Sequence, residues 1–143
     1  MKDRKASEIR ETALFRGCSA EEVRWISRVA DTVDVPAGRT IVRRGHRARE
    51  FVVLVGGAAA ASKGESSVSL APGSYFGDMG LIDGRPHAST IQARTQVRLL
   101  VFSPGAFRGM LHRIPAVGRK LLTEMVVQLR TVDQDPRSLR AVS

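Results

Sequence analysis

One cysteine and three histidines are all that the sequence offers toward a metal site or a disulfide. A single thiol, Cys18, cannot form a disulfide within the chain, and a structural zinc site needs four cysteine or histidine ligands in one place. Because His46, His87 and His112 are scattered along the sequence, no such motif can be assembled from them. The chain therefore predicts no metal site, and its lack of disulfides is typical of the cytoplasm.

Long apolar runs are also missing. The N-terminal stretch MKDRKASEIRETALF has no apolar core of signal-peptide length, and no segment approaches the roughly 20 apolar residues that span a bilayer. Aromatic residues make up only 5% of the 143 residues, but hydrophobic residues make up 43%, which suffices for one core of Val, Leu, Ile and Ala. We predict a single domain over residues 1–143, with a folded core at 12–132 and a flexible tail at 133–143.

Acidic residues are outnumbered, since 14 Asp and Glu against 23 Lys and Arg give a net charge of +9. Such a charge favours contact with nucleic-acid phosphates. The densest basic cluster has no interleaved aromatic residues, however, and the stretch from Asp133 to Ser143 is too short for a helix-turn-helix. We expect no specific nucleic-acid binding and interpret the cluster as a solvated basic face, with nonspecific attraction to nucleic acid or anionic membrane as the alternative. Its members are Arg39, Arg43, Arg44, Arg47 and Arg49.

Groups that could carry catalysis are not gathered in the sequence either. The acidic residues are dispersed, Cys18 has no neighbouring histidine, and the three histidines fall in different predicted elements. Nucleophilic and acid–base catalysis both need such groups side by side. We therefore predict that the protein is not an enzyme.

The middle of the chain has the pattern of an all-β domain. From about Asp34 to Phe102, short β-branched runs alternate with Gly, Pro and Ser, which is typical of a sandwich or barrel. Lys63-Gly64-Glu65 is expected at a hairpin tip.

Helices are expected on both sides of this region. Ser19 and Glu22 have the spacing of a capping box, Ser103 and Pro104 suit the start of a second helix, and Pro115 opens a last one. The last helix carries a broad apolar stripe of Val117, Leu121, Leu122, Met125, Val126 and Leu129.

The segment from Tyr75 to Ala93, YFGDMGLIDGRPHASTIQA, has the features of a phosphate site. A turn bounded by glycines leaves backbone N–H groups free to bind phosphate oxygens, and small side chains let a ligand approach. The small residues are Gly77, Gly80, Ala88 and Ser89, and Asp78 is a candidate acceptor for a ribose hydroxyl.

This segment resembles the phosphate-binding cassette of the cyclic nucleotide-binding domain family, found in bacterial cyclic AMP receptor proteins and protein kinase A regulatory subunits. The family pattern runs Phe-Gly-Glu-Leu-Ala-Leu-Leu, a short insert, then Arg-Ala/Ser-Ala-Thr-Val. Six positions match this pattern: Phe76, Gly77, Leu81, Ile82, Thr90 and Ile91.

The resemblance extends over about residues 12–132. The run from Val35 to Val42 resembles the family's first strand pair, Phe51 to Gly57 resembles its buried Phe-x-Val-Leu-x-Gly strand, and Leu70 to Gly77 resembles the approach to the cassette. It implies a mostly β fold with flanking helices, namely a β-roll (jelly roll, double-stranded β-helix) with an N-terminal helix and C-terminal helices. It further implies a stand-alone regulatory module that senses a cyclic purine nucleotide, without a helix-turn-helix.

Two polar positions depart from the family pattern, because its glutamate is Asp78 and its phosphate-clamping arginine is His87. An arginine holds two phosphate oxygens at once, whereas a histidine with an unperturbed pKa of about 6.5 is mostly neutral at pH 7. Losing a charged hydrogen bond costs about 1.5 to 3 kcal/mol, which weakens binding roughly ten- to a hundredfold. We expect either a weakened nucleotide site or a degenerate fold that no longer binds nucleotide and serves as a protein-interaction module.

Arg85 is a candidate replacement for the missing arginine. Pro86 favours an extended conformation at Arg85, so Arg85 and His87 could point the same way toward the phosphate. Alternatively, Arg85 lies at the exposed tip of the insert and points to solvent.

The resemblance also places the last helix over the ligand, with Gln128, Arg130 and Thr131 as candidates to contact the base. Ala88 stands where a hydroxyl often favours guanine, which favours cyclic AMP over cyclic GMP. The full set of expected nucleotide contacts in the cassette is Phe76, Gly77, Asp78, Met79, Gly80, Arg85, His87, Ala88 and Ser89.

Two interpretations of the apolar stripe remain open. Leu121, Leu122 and Met125 are expected to pack on the β-roll. The resemblance implies that Val126 and Leu129 pair with the same helix of a second chain, since some family members dimerise along this element. A regulator of this kind also needs an effector protein.

Overall fold

The structure, a computed structural model, describes residues 3–134, with side chains up to residue 130. Helices are α1 Arg4–Glu11, α2 Ala20–Val29, α3 Asp78–Asp83, α4 Pro104–Arg113 and α5 Pro115–Gln134, with a 3₁₀ turn at Ala13–Phe15. Strands are β1 Asp31–Val35, β2 Thr40–Val42, β3 Phe51–Gly56, β4 Ala59–Lys63, β5 Ser66–Leu70, β6 Tyr75–Phe76, β7 Thr90–Ala93 and β8 Val97–Phe102.

The strands form two four-stranded antiparallel sheets, in the orders β1-β8-β3-β6 and β2-β7-β4-β5. Consecutive strands alternate between the sheets at several points, as in a jelly roll, and helices flank the sheets at both ends of the chain. This confirms the predicted mostly β fold with an N-terminal helix and C-terminal helices.

Strand β3 is buried on both of its faces, which explains its uninterrupted apolar sequence. Phe51 and Val53 pack with the helices, while Val52 and Leu54 point into the space between the two sheets. Strand β8 pairs with β3 and divides its side chains in the same way. The sheet containing β1, β8, β3 and β6 therefore separates two cores, one under the helices and one inside the roll.

The predicted hairpin tip is confirmed. Lys63 pairs with Ser66, so Gly64 and Glu65 form a two-residue loop between β4 and β5. Gly64 has a φ of +61°, which the first position of a type II′ turn requires.

The predicted helix starts are confirmed too. In α2 the backbone N–H of Glu22 donates to Ser19 Oγ at 3.1 Å, and the N–H of Ser19 donates to Glu22 Oε1 at 2.8 Å. In α4 Ser103 accepts from the N–H of Ala106 at 3.1 Å, with Pro104 in the first turn. Helix α5 begins at Pro115 as expected.

Helix α1 lies before the predicted folded core, which begins at residue 12, and no sequence signal predicts it. Ile9 is fully buried against α2, but every other residue of α1 is charged, polar or small. A single apolar anchor leaves no periodicity to recognise. Of the tail predicted at 133–143, residues 133 and 134 belong to α5, and residues 135–143 lie outside the described residues.

The apolar stripe of α5 is only partly packed on the roll. Val117 and Leu121 are buried and Met125 is half-buried, but Leu122 is 61% exposed. The expectation that Leu122 packs on the roll is wrong, because one residue along a helix rotates the side chain by about 100° away from Leu121. Val126 and Leu129 are exposed on the same side as Leu122.

Within residues 3–134, no helix has the length and hydropathy to cross a membrane. Over the same residues, no group of three or more His, Cys, Asp and Glu side chains is arranged to hold a metal ion.

Candidate functional site

The cassette begins at Gly77, which joins β6 to α3 through a left-handed backbone conformation. Its φ is +93°, and a Cβ at this position would lie 2.2 Å from the carbonyl oxygen of Glu50. Only glycine fits such a place without a shift of the backbone. The sequence predicted a turn here, whereas the structure has the short helix α3, which ends at Gly84 with a φ of +74°.

Gly80 is small because α3 packs closely on the segment before β3. A Cβ at Gly80 would lie 2.5 Å from the Cβ of Ala48 and 2.9 Å from the carbonyl oxygen of Arg85. The sequence predicts that Gly77 and Gly80 let a ligand approach the backbone. The structure adds a reason within the protein for each glycine.

Asp78 lines a cavity of about 800 Å³ between the cassette and α5. It is the first residue of α3, and only 5% of its surface is exposed. Met79 lines the same cavity, together with Leu70 and Tyr75 from the roll. The α5 wall includes Arg119, Lys120, Thr123, Glu124, Met125 and Gln128.

Tyr75 is a cavity residue that the sequence analysis did not assign. Its ring packs on Phe51 with centroids 5.7 Å apart. Burial raises the pKa of the Tyr75 phenol well above its usual range, and the carboxylates of Asp78 and Glu124 raise it further. The phenol is therefore a neutral hydrogen-bond donor in the cavity at physiological pH. The sequence feature that could have identified Tyr75 as a cavity residue is its position as the first residue of the cassette segment.

Gln128 is the residue of α5 that best fits a contact to a ligand. Its side-chain oxygen Oε1 is buried and has no hydrogen-bond partner, and the residue lines the cavity opposite Asp78. A buried acceptor without a donor is costly unless a ligand or water supplies one. Arg130 is exposed, and the side chain of Thr131 lies outside the described residues.

Lys120 ties α5 to the N-terminal part of the chain. Its ammonium donates to the carbonyl oxygens of Ala13, Leu14 and Arg16 at 3.1, 3.2 and 2.8 Å. These three oxygens lie at the 3₁₀ turn, which forms part of the cavity wall through Ala13 and Leu14. Sequence spacing gave no sign of a contact that spans more than a hundred residues.

His87 lies on another side of the cassette from this cavity. Its backbone N–H donates to the carbonyl of His46 at 2.9 Å, and its carbonyl accepts from the N–H of Gly45 at 2.9 Å. The side chain is 7% exposed and lines a separate cleft with Arg43 and Arg47. The structure thus brings Asp78, Met79 and Gln128 to one cavity and places His87 in the separate cleft.

The remaining cassette residues are spread between core and surface. Phe76 is buried inside the roll, and Ala88 is half-buried. Ser89 is 2% exposed, and its hydroxyl has no hydrogen-bond partner. Arg85 is exposed, with its backbone N–H donating to Asp83 Oδ1 at 2.9 Å, so Arg85 and His87 do not share one environment.

Fold and cassette together define a class of protein, and comparison with known families agrees. Residues 32–113, more than half of the chain, match the family model of the cyclic nucleotide-binding domain. The chain belongs to the cyclic nucleotide-binding domain family.

Curated relatives are much longer than this chain. It is 28% identical over 115 residues to the cAMP-dependent protein kinase regulatory subunit of Emericella nidulans. The aligned region covers 78% of this chain and 28% of that relative. It is 37% identical over 84 residues to a cyclic nucleotide-gated potassium channel of Mesorhizobium japonicum. The aligned region covers 58% of this chain and 23% of the channel. The chain thus spans about a quarter of the length of these relatives.

Solved structures share the fold. The catabolite activator protein of Thermus thermophilus is similar with a TM-score of 0.77 at 23% identity, over 85% of this chain and 60% of that one. The CBD2 domain of PKAR, bound to Sp-2Cl-cAMPS, is similar with a TM-score of 0.77 at 19% identity, over 97% of each chain. Identities this low support the fold alone.

Proposed function

We propose that the protein is a regulatory module of the cytoplasm, without catalytic activity, that binds a cyclic purine nucleotide in the cavity between the cassette and α5. The observation that carries this proposal is that Asp78 of the cassette and Gln128 of α5 line the same cavity, where Asp78 is 5% exposed and the side-chain oxygen of Gln128 is buried without a hydrogen-bond partner. Relatives named for cyclic AMP or cyclic nucleotides support the ligand class.

Asp78 accepts hydrogen bonds from the ribose in this proposal. It is held at the start of α3, where a carboxylate is favoured by the exposed N–H groups of the first helical turn. Tyr75 stands near Asp78 as a neutral donor for a second ligand oxygen.

The base lies toward α5 and is contacted by Gln128. The oxygen of Gln128 is an acceptor in need of a donor, and the exocyclic amine of adenine is such a donor. At the same ring position guanine carries an oxo group, which cannot donate, and Ala88 lacks the hydroxyl that the family resemblance associates with guanine. Cyclic AMP is therefore the preferred ligand, with Arg130 and Thr131 as further candidates for the cap.

The phosphate is bound by the backbone around Gly77 and Gly80 with help from Ala88, Ser89 and His87. The unpartnered hydroxyl of Ser89 is a donor for a phosphate oxygen after a change of rotamer. Arg85 contributes charge from the exposed rim. Without a bidentate arginine, this site has an affinity for the cyclic nucleotide that is roughly ten- to a hundredfold lower than that of a site with the family's arginine.

Regulation follows from the position of α5. The helix forms one wall of the cavity and carries an exposed apolar face of Leu122, Val126 and Leu129 on the side away from the roll. Ligand binding that moves α5 also moves this face. We assign the face to a homodimer contact, through which the nucleotide acts on an effector protein.

Calorimetric titration of the chain with cyclic AMP and cyclic GMP tests the proposal. Saturable binding, tighter for cyclic AMP, is expected at pH 7.5, and tighter binding at pH 6 is expected if a protonated imidazole at His87 assists. Asp78→Asn should weaken binding at least about tenfold, whereas Asp83→Asn, on the exposed end of the same helix, should not.

The second candidate function is a protein-interaction module that no longer binds nucleotide. The close contacts of Gly77 with Glu50 and of Gly80 with Ala48 favour it, because they account for both glycines without a ligand. Absence of heat at millimolar cyclic AMP and cyclic GMP would select this function and overturn the first.

A further inference from the structure

A second concave site lies on the roll, between the diverging strands β1 and β2. The cleft has a volume of about 1140 Å³ and shares no lining residue with the cavity under α5. Its walls come from β1, β2, the connection between β2 and β3, and the inner face of β3 and β8. Of the residues that the nucleotide proposal uses, only His87 also lines this cleft.

One wall of the cleft is apolar and accessible. Val33 is 39% exposed, and Val35, Ile41 and Val42 are half-buried where they pack on the core inside the roll. Val33 pairs with Leu99 of β8, so its side chain lies on the inner face of the sheet. A surface of this kind favours burial under an apolar ligand group.

The rim of the cleft is strongly basic. Arg39, Arg43, Arg47 and Arg49 line it and are exposed. Among the described residues, none of these four guanidinium groups forms an ion pair or a side-chain hydrogen bond. They are therefore free to bind an anion in bidentate fashion.

Acidic residues do not neutralise this rim. Asp34 lies opposite Arg98 in the β1–β8 register, and its carboxylate pairs with that guanidinium at 3.3 Å on the outer face of the sheet. Glu50 is the remaining carboxylate at the cleft. Four arginines thus face one unpaired carboxylate across a concave apolar surface, an arrangement unlike a convex solvated face.

We infer that this cleft binds a soluble anionic amphiphile, a molecule with a phosphate or carboxylate head and an apolar body. The head lies among Arg43, Arg47 and their neighbours, and the body lies on Val33, Val35 and Val42. A bare anion cannot make the apolar contact with the valines, and an uncharged apolar molecule cannot make the charged contact with the arginines.

Titration with monomeric octyl phosphate, kept below its micellar concentration, tests this inference. Octyl phosphate should bind at least about tenfold more tightly than inorganic phosphate or octyl glucoside, because it makes both contacts. Methyl resonances of Val33, Val35 and Val42 should shift on binding. Saturating cyclic AMP should lower the octyl phosphate affinity less than about threefold, since His87 is the one residue common to the two proposed sites.

Substitutions separate the head and body contacts. The double variant Arg43→Gln/Arg47→Gln should lose at least about tenfold in affinity for octyl phosphate, and Val33→Ser should lose about threefold to tenfold. Arg24→Gln removes an equal type of charge from the exposed face of α2 and should have no effect. Unfolding temperatures close to that of the unmodified chain establish that each variant is folded.

Three results would overturn the inference. Inorganic phosphate that binds as tightly as octyl phosphate would show an electrostatic surface only. An equal loss in Arg24→Gln would show the same. Binding to anionic vesicles or duplex DNA without binding to monomeric octyl phosphate would replace the soluble ligand with a macromolecular surface.

Discussion

The carbonyl oxygen of Glu50 occupies the space where any residue other than glycine at position 77 would place its Cβ, 2.2 Å away. The contact fixes the end of β6 against the start of β3, and it aims the first turn of α3 at the cavity under α5. The backbone that would hold a phosphate is thus also a packing element of the roll.

Gly77→Ala should destabilise the fold strongly. A left-handed conformation costs an alanine about 1 to 2 kcal/mol, and the clash with Glu50 adds a cost of similar size, for a total of about 3 kcal/mol or more. Gly84→Ala is the matched control, because Gly84 is also left-handed but has nothing within 4 Å of an added Cβ. Chemical denaturation of both variants measures the difference, and equal losses would show that the contact with Glu50 relaxes freely.

His87→Arg should strengthen cyclic AMP binding by about tenfold or more, because it restores a bidentate cation to the cassette. His87→Ala should weaken binding, while Arg85→Ala should change the dissociation constant less than about twofold, since Arg85 is exposed and a surface charge is screened. Calorimetry measures all three. An Arg85→Ala loss as large as that of His87→Ala would instead place Arg85 on the phosphate.

Gln128→Ala should lower cyclic AMP affinity about threefold to tenfold and reduce the preference over cyclic GMP, because one neutral hydrogen bond to the base is lost. Gln96→Ala, at an exposed glutamine between β7 and β8, is the matched control. Competition with a fluorescent cyclic nucleotide gives both affinities. Unchanged selectivity in Gln128→Ala would remove Gln128 from the cap.

Tyr75 should remain protonated well above pH 10 in the folded protein. The pKa of Tyr75 is higher in the folded protein than in the unfolded chain, where it is about 10. The stability that depends on the neutral phenol is therefore fully present below about pH 10, and it is lost as the pH rises toward the folded pKa. Tyr75 is the only tyrosine, so ultraviolet absorbance reports its ionisation directly. We expect the phenolate to form only when the protein unfolds, and we expect the Tyr75→Phe variant to resist alkaline unfolding better. A reversible ionisation of Tyr75 with a midpoint near pH 10 in the folded protein would contradict this.

The exposed face of α5 should hold two chains together. Leu122, Val126 and Leu129 lie at the spacing of one helical face and are 61%, 40% and 63% exposed. The double variant Leu122→Glu/Leu129→Glu should shift sedimentation to the monomer, whereas Val68→Glu, at an exposed valine of β5, should not. A monomeric unmodified chain at high micromolar concentration would rule out this dimer.

Local sequence signals predicted those parts of the fold that local chemistry determines. The capping box of Ser19 and Glu22, the hairpin glycine Gly64 and the start of α5 at Pro115 each rest on residues within a few positions of one another. Strand β3 was also predictable, because burial on both faces leaves an apolar run that needs no partner to be recognised.

The features that were missed depend on contacts between distant segments. Gly80 is small because of Ala48, and Lys120 finds its partners at the 3₁₀ turn. The pKa of Tyr75 is raised by burial first and then by the carboxylates of Asp78 and Glu124. The separation of His87 from Asp78 has the same origin, since His87 is held by backbone pairing with the turn at Gly45 and His46. No spacing within the cassette encodes these partners.

The ammonium of Lys120 divides α5 into two parts with different freedom. Its three bonds to the carbonyls of Ala13, Leu14 and Arg16 join the first turns of α5 to the N-terminal helices. These bonds and the buried Val117 and Leu121 fix the base of the helix more firmly than its exposed C-terminal part. The portion after Leu121 carries both Gln128 and the exposed apolar face.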